Sequence, residues 1–196
     1  MTGEMPASDN PLYSEVSDWK PGGWRERPEI IQNETMIKGF FGDYRWLSSF
    51  GQAHLELDGA QYPNVEVAYQ AAKWRPEDRQ VFQGMTGEQA ITYNRQHVPD
   101  RFTADEWDRV KLSVMMQLVG QKFCPVNNPE NAGRLLATGD RYLEETNWWG
   151  DTFWGKNLRG EGENNLGEIL MSVRRTLREA SSEHCLCSEG LGILET

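Results

Sequence analysis

Hydrophobic and polar positions alternate over short stretches in the first third of the chain. Residues 35–41 read TMIKGFF, residues 53–59 read AHLELDG, and AQYP follows at 60–63. Alternation with a period of two predicts short strands, and Asp58 followed by Gly59 is a turn signal. We therefore expect a hairpin around Asp58.

Beyond residue 64 the apolar residues recur at helical spacing instead. Helix caps or capping boxes occur at Asn64, 86–89, 103–106 and 165–168, and a shorter helix follows Pro129. The last segment has a clean apolar stripe from Leu166 to Leu177. The pattern predicts an α+β fold, mostly α, in which a single domain contains a few short strands.

The two ends of the chain lack this periodicity. We expect an irregular N-terminal arm at 1–34, a domain at 35–179 and an acidic flexible tail at 180–196. Tyr13, Trp19 and Trp24 are unusual in a solvated linker, so the arm is expected to lie against the domain or a partner. A chain of 196 residues suits one domain with such tails.

The charge of the chain restricts its partners. A formal net charge of -10 leaves no broad cationic face for long-range nucleic-acid binding. A nucleotide held in a small local pocket, or a local contact with nucleic acid, is still permitted. The sequence has no apolar run long enough for a membrane span and no basic, apolar start typical of a secretory signal. We therefore expect a cytoplasmic protein without membrane contact. The sequence does not identify a protein partner.

Cysteines and histidines give little support to metal or triad chemistry. The three cysteines do not describe a disulfide framework, and His184, Cys185 and Cys187 lack a fourth metal ligand. His54 and His97 have no partner at a useful spacing, and no glycine-rich nucleotide fingerprint occurs. We expect no metal and no cofactor.

One carboxylate stands in an otherwise apolar helix start. Residues 62–74 read YPNVEVAYQAAKW, with Glu66 between two valines. At this position a glutamate suits the positive end of the helix dipole. Glu66, Gln70 and Lys73 share one face of the helix, and the pattern leaves open whether this polar stripe faces water or a site.

The third helix carries a second candidate pair. Trp107 and Lys111 lie one turn apart on the same face. In one alternative, Trp107 packs in the core and the aliphatic part of Lys111 lies along it. In the other, Trp107 stacks on a flat ring of a ligand and Lys111 binds its phosphate. Spacing leaves both alternatives open.

The most unusual stretch is the loop at 138–157, TGDRYLEETNWWGDTFWGKN. Tryptophans in a loop need a surface to cover, and glycines let the backbone approach a ligand, so this loop is the best site candidate. Of its acids, Asp140 fits a turn, whereas Glu144, Glu145 and Asp151 can simply face solvent. Residues 160–167 then lead into a helix start that can offer N–H groups to an anion.

These motifs, taken in order, resemble the NADAR (YbiA-like) family from about Thr35 to Arg178. The resemblance rests on 41–50, 57–59, 62–66, 68–73, 138–140, 153–155, 162–171 and Arg174. It implies a mainly helical N-glycosidase fold that cleaves the bond between a ribose carbon and a nitrogen. YbiA-type members act on phosphoribosylamino-pyrimidine intermediates of riboflavin synthesis, and other members remove ADP-ribose from guanine modified by DarT-like toxins.

The resemblance also implies the site residues. The catalytic pair would be Glu66, which stabilises positive charge on the ribose or activates water, and Asp151, which assists proton transfer or orients the ribose hydroxyls. The implied substrate-binding residues are Tyr44, Ser48, Gln70, Lys73, Trp107, Lys111, Trp154, Gly155 and Asn164. Trp107 and Trp154 would stack on the base, with Lys73, Lys111 and Asn164 near phosphate.

Three positions depart from the family pattern. Val67 replaces the histidine after the glutamate, Ser49 replaces an asparagine, and Glu163 replaces a lysine. These changes favour ADP-ribose removal over the riboflavin reaction as the predicted activity. Two alternatives stay open, namely the riboflavin-intermediate N-glycosidase and a non-catalytic module that binds ADP-ribose or an NAD-derived ligand.

Overall fold

The structure, a computed structural model, describes residues 31–99 and 101–179. The elements in chain order are β1 (Met36–Lys38), β2 (Gln52–Leu57), β3 (Ala60–Asn64), α1 (Val65–Ala72), α2 (Gly87–Gln96), α3 (Ala104–Lys122), α4 (Pro129–Ala137), β4 (Tyr142–Glu144) and α5 (Asn165–Glu179). Two 3₁₀ helices, Gly42–Leu47 and Pro76–Phe82, precede β2 and α2. The tail and most of the predicted arm lie outside the described residues. The predicted mostly helical α+β class is confirmed.

The strands form two small sheets. β2 and β3 pair antiparallel around Asp58 and Gly59, whose φ angles of 51° and 77° suit the predicted tight turn. β1 does not join this hairpin but pairs in parallel with β4, aligning Ile37 with Leu143. The sequence did not predict β4, because a strand of three residues is too short to show a period.

The predicted helix starts are confirmed by their caps. Asn64 Oδ1 accepts the Val67 N–H at 2.9 Å, and capping boxes close at Thr86 and at Thr103. The last helix begins as predicted at Asn165, but the carbonyl that accepts the Glu168 N–H belongs to Asn164. These local hydrogen bonds stabilise the N-termini of the helices, including that of α1, which carries Glu66.

Helix α1 is the centre of the fold. All eight of its residues are buried, because α1 packs against α2, α3 and the β2–β3 hairpin. α5 covers β4 and packs against α3 and α4. The polar stripe of α1 therefore does not face water, which decides one of the alternatives that the sequence left open.

Two further findings concern the cysteines and the helices. Cys124 is buried and disulfide-bonded, a single bond that the odd cysteine count did not predict; the other half of the bond lies outside the described residues. His184, Cys185 and Cys187, which the sequence did not favour as a metal site, also lie outside them. Within 31–99 and 101–179, no helix has both the length and the apolar character needed to cross a bilayer.

Candidate active site

Glu66 lies in the first turn of α1 and is held by two side-chain donors. Ser49 Oγ donates to Oε2 at 2.9 Å, and Gln70 Nε2 donates to Oε1 at 2.7 Å. The glutamate is only 8% exposed, and burial raises the pKa of its carboxyl, whereas the two hydrogen bonds and the charge of Lys73 lower it. The hydrogen bonds thus favour the ionised form in a buried place.

The start of α2 also approaches this carboxylate. A Cβ on Gly87, the first residue of α2, would lie 3.2 Å from Glu66 Cγ and 2.6 Å from the ring of Phe50. Only glycine allows such a close approach. The helix start brings its positive dipole end toward Glu66, which again favours the carboxylate.

The polar stripe of α1 continues away from Glu66 as a hydrogen-bonded chain. Gln70 Oε1 accepts from Lys73 Nζ at 2.8 Å and from Asn94 Nδ2 at 2.7 Å. Asn94 in turn accepts the indole N–H of Trp74 at 2.6 Å. Burial lowers the pKa of Lys73, while the Glu66 charge raises it. We call Glu66, Gln70 and Lys73 the helical wall of the site.

Aromatic rings lie beside the helical wall. The ring of Tyr69 lies 5.1 Å from Trp107 and 5.6 Å from Trp154, measured between centroids. Lys73 Nζ lies over the rings of Tyr69 and Trp107 at 5.2 and 5.5 Å. Trp107 also packs against the core, and its predicted stacking on a base stays a prediction. The cluster offers flat apolar surface next to a cation, which suits a nucleobase with phosphate.

Lys111 lies close to the same cluster. Its Nζ is 3.8 Å from the ring centroid of Phe153, which itself packs against Trp154, and 2.8 Å from Asp108 Oδ1. The structure thus brings Lys111 to the aromatic cluster from α3, as the resemblance implied.

The opposite side of the site is an irregular segment, residues 144–164, which we call the loop wall. Asn147 organises it by donating to the Asp151 carbonyl at 2.6 Å and accepting the N–H groups of Gly150 and Asp151. Gly155 fits only as glycine, since a Cβ there would lie 2.3 Å from the Glu145 carbonyl oxygen. The loop is therefore fixed by its own polar contacts.

Asn164 attaches the loop wall to the core. Its side chain is fully buried, accepts the Glu145 N–H at 2.9 Å and donates to the Tyr142 hydroxyl and the Leu143 carbonyl. All of its side-chain bonds are thus made within the protein. These bonds give Asn164 a structural role in positioning Glu145, and its predicted contact with phosphate stays a prediction.

Glu145 is the feature that the sequence did not single out. Its Oε2 is buried and has no hydrogen-bond partner in the described part of the chain. Burial, together with the charges of Asp151 and Glu66, raises the pKa of this carboxyl to about 8, while Lys122 opposes the rise. The sequence left open that Glu145 faces solvent; the structure places it in the electrostatic field of both predicted catalytic acids.

Lys122 is the buried cation of this region. It is 1% exposed, and its Nζ donates to the Ser48 carbonyl at 2.5 Å. Burial lowers its pKa to about 7, against the effect of Glu145. Ser48, a predicted binding residue, thus contacts Lys122 through its backbone carbonyl. Ser48 also lines a small cavity together with Glu145.

Asp151 lies in the loop wall with one oxygen engaged. Its Oδ1 accepts the N–H groups of Phe153 and Trp154 at 3.0 and 2.9 Å, which orders the turn that presents Trp154. Its charge raises the pKa of both Glu145 and Tyr69, so it shares their surroundings. Its predicted catalytic role stays a prediction.

Tyr44 is placed elsewhere. Its hydroxyl accepts from Arg141 Nη1 at 3.2 Å, and it lines a cleft with 137–141 that contains none of the other predicted site residues. The structure does not bring Tyr44 to the helical wall.

The chain matches a known protein family. Residues 32–178 match the family profile described as the NADAR domain. The chain belongs to the NADAR family. The recognition made from the sequence motifs is thereby confirmed.

Relatives of this NADAR chain are named as N-glycosidases or riboflavin proteins. N-glycosidase YbiA of Escherichia coli K12 is 30% identical over 159 residues, which cover 78% of this chain and 94% of YbiA. A riboflavin biosynthesis protein of Vibrio vulnificus YJ016 is 33% identical over 140 residues, covering 70% of this chain but only 36% of that protein. The NMR structure of Escherichia coli YbiA superposes with a TM-score of 0.61 at 25% identity and covers 81% of this chain and 97% of its own.

The three departures from the NADAR pattern fall in different places. Ser49 contacts Glu66 directly, Val67 is fully buried in the core, and Glu163 is exposed, where it accepts from Asn165 at 2.7 Å. Only the Ser49 change therefore touches the candidate catalytic carboxylate.

Lys122 and Glu145 were not singled out from the sequence, which contains a signal only for Lys122. Val114, Leu118 and Lys122 recur every four residues, which places Lys122 on the buried face of α3. Glu145 had no comparable signal, because the bond that holds its backbone comes from Asn164, which lies 19 residues further along the chain.

Proposed function

We propose that this NADAR protein is an N-glycosidase that hydrolyses the bond between a ribose carbon and a nitrogen. The observation that carries the proposal is Glu66, a buried carboxylate that accepts hydrogen bonds from Ser49 and Gln70 beside an aromatic and cationic cluster. The relatives named N-glycosidase support the same activity.

The arrangement suits the chemistry of the bond. As the nitrogen leaves, the ribose carbon gains positive charge, and a nearby carboxylate can stabilise that charge or take a proton from water. Tyr69, Trp107 and Trp154 supply stacking surface for the leaving base, and Lys73 and Lys111 supply positive charge for phosphate. Gln70 keeps Glu66 oriented for this role.

The first candidate substrate is an ADP-ribosylated guanine, from which ADP-ribose is removed. Ser49 supports it, because this departure from the family pattern contacts Glu66 itself and so changes the reactive end of the pocket. The second candidate is a phosphoribosylamino-pyrimidine, and the printed name of the Vibrio relative favours it.

The test compares wild type with Glu66→Gln on both substrates. Released products are followed by mass spectrometry, and binding is measured by calorimetry. We expect release of free base by wild type, with binding retained and product lost in Glu66→Gln. Release of ADP-ribose alone selects the first substrate, and release of ribose phosphate alone selects the second.

Glu168→Gln, at an exposed position of α5, is the matched control and should behave as wild type. Tight binding by wild type without any product from either substrate would contradict the enzyme and favour a binding module.

A further inference from the structure

Glu145 combines a buried oxygen with a place at the wall of a cavity. It directly follows β4, and its Oε2 has no hydrogen-bond partner among the described residues. The side chain lines a small enclosed cavity with Arg45, Ser48, Phe50 and Trp149. A buried polar atom without a partner is costly, so it points to a group that takes part in something other than folding.

Phe50 and Ser48 connect this cavity to Glu66. The ring of Phe50 lines the cavity and lies against the same Gly87 that Glu66 approaches. Ser49, between them in sequence, donates to Glu66 Oε2. Segment 48–50 thus contacts Glu66 through Ser49 and borders the cavity of Glu145 through Ser48 and Phe50, and the Glu66 charge acts on the Glu145 carboxyl.

The charged groups around Glu145 come from every neighbouring element. Asp151 of the loop wall and Glu66 of α1 act against its ionisation, and Lys122 of α3 acts in favour of it. Arg45 of the first 3₁₀ helix lines the same cavity. Burial is the largest effect, so at neutral pH the Glu145 carboxyl carries a proton.

Breaking a ribose–nitrogen bond requires an acid as well as a base. A neutral amine or base leaves readily only when its nitrogen gains a proton as the bond breaks. Glu66 is suited to the opposite role, because burial raises the pKa of its carboxyl and so makes its anion a stronger base, while Ser49 and Gln70 hold that anion in place. Asp151 uses Oδ1 to accept two backbone N–H groups.

We propose that Glu145 is the general acid that protonates the leaving nitrogen, and that Glu66 is its partner base. This inference rests on the proposed N-glycosidase function. The C1′–N bond breaks with its electron pair going to nitrogen, which receives the Glu145 proton. The oxygen of a water molecule bonds to C1′ and passes a proton to Glu66. Solvent then returns a proton to Glu145 and takes one from Glu66.

The test is the pH profile of kcat and KM for wild type, Glu145→Gln, Glu145→Asp and Asp151→Asn, with Glu168→Gln as the control. Wild-type kcat should fall as the pH rises through about 8. In Glu145→Gln, kcat should drop roughly 100- to 10,000-fold with little change in KM, and the fall at alkaline pH should disappear. Glu145→Asp should keep that alkaline fall at a displaced pH, and it carries the test if Glu145→Gln does not fold.

A measurement without substrate completes the design. In protein carrying ¹³C-carboxyl glutamate, one NMR signal should titrate near pH 8 and be missing in Glu145→Gln. The inference is overturned if no such signal exists, if Glu145→Gln keeps the wild-type profile, or if only Asp151→Asn loses the alkaline fall. Wild type without turnover on either substrate would overturn the proposed function together with this inference, whereas turnover with an unchanged Glu145→Gln would overturn this inference alone.

Discussion

The helical wall and the loop wall hold a carboxylate by opposite means. Glu66 belongs to a regular helix and receives hydrogen bonds from Ser49 and Gln70. Glu145 belongs to an irregular segment, where its backbone is bonded to Asn164 and its Oε2 has no partner among the described residues. Burial raises the pKa of both carboxyls, but hydrogen bonds oppose that rise at Glu66, whereas the charges of Asp151 and Glu66 add to it at Glu145.

This difference is what the proposed acid and base, two residues of the same type, would require. Environment, and not residue identity, separates two glutamates whose pKa values start equal. The following changes test the comparison by disturbing one wall at a time.

The largest effect is expected from Asn164→Ala, which detaches the loop wall. The substitution removes three buried side-chain hydrogen bonds, so the free energy of unfolding should fall by roughly 3 kcal/mol. Activity should fall as well, because Glu145 loses its anchor. Thermal unfolding and turnover at 15 °C measure the two effects.

Two variants sharpen that result. Asn164 has a φ of 58°, so Asn164→Gly separates backbone strain from the lost hydrogen bonds. Asn165→Ala, at the neighbouring, less buried position, should have a much smaller effect on stability. An Asn164→Ala protein as stable and active as wild type would contradict the anchoring role.

The next effect is expected at the helical wall. Ser49→Ala removes a donor to the Glu66 carboxylate, so the pKa of Glu66 should rise and kcat at neutral pH should fall about tenfold. The acidic limb of the pH profile should move to higher pH, while the alkaline limb stays in place. Ser113→Ala, an exposed serine on α3, is the control. A shift of the alkaline limb instead would show that the two walls are not separable.

A smaller shift is expected from Asp151→Asn. An asparagine oxygen can still accept the two backbone N–H groups, so the turn is retained and only the charge is lost. Without that charge the pKa of Glu145 should fall, and the alkaline limb should move to lower pH by less than about one unit. Complete loss of activity in this variant would instead favour a direct catalytic role for Asp151.

The last comparison concerns how the stability of Glu145→Gln depends on pH. The wild-type carboxyl keeps its proton in the folded state up to about pH 8, whereas the unfolded chain releases it near 4.5. Folding of wild type is therefore weakened as the pH rises through this window, and the variant lacks that loss. The melting temperature of the variant relative to wild type should increase from pH 5 to pH 8. A constant difference across this window would contradict the raised pKa.

The helical wall was easier to predict from the sequence than the loop wall. The hairpin at Asp58 and the capped helices were predictable, because turn residues, caps and periodicity are local signals. Glu66 was a candidate for the same reason, since it interrupts an apolar helix start. Its burial was not predictable, because it depends on three elements that pack around α1.

The loop wall shows the limit of such reasoning. Its tryptophans and glycines marked it as a site candidate, but its conformation is set by side chains that reach across many residues. Asn164 and Lys122 each bond a backbone group far away in sequence, and no local pattern announces such a bond. The roles of Glu145 and Asn164 could therefore be assigned only from the structure.

The aromatic cluster gives the protein a built-in optical probe. Trp107 and Trp154 both contact Tyr69 within 6 Å between ring centroids, beside Lys73. A base that enters between these rings must alter the emission of at least one indole. Occupancy of the site can thus be followed by intrinsic fluorescence, without a label and with a substrate that never turns over.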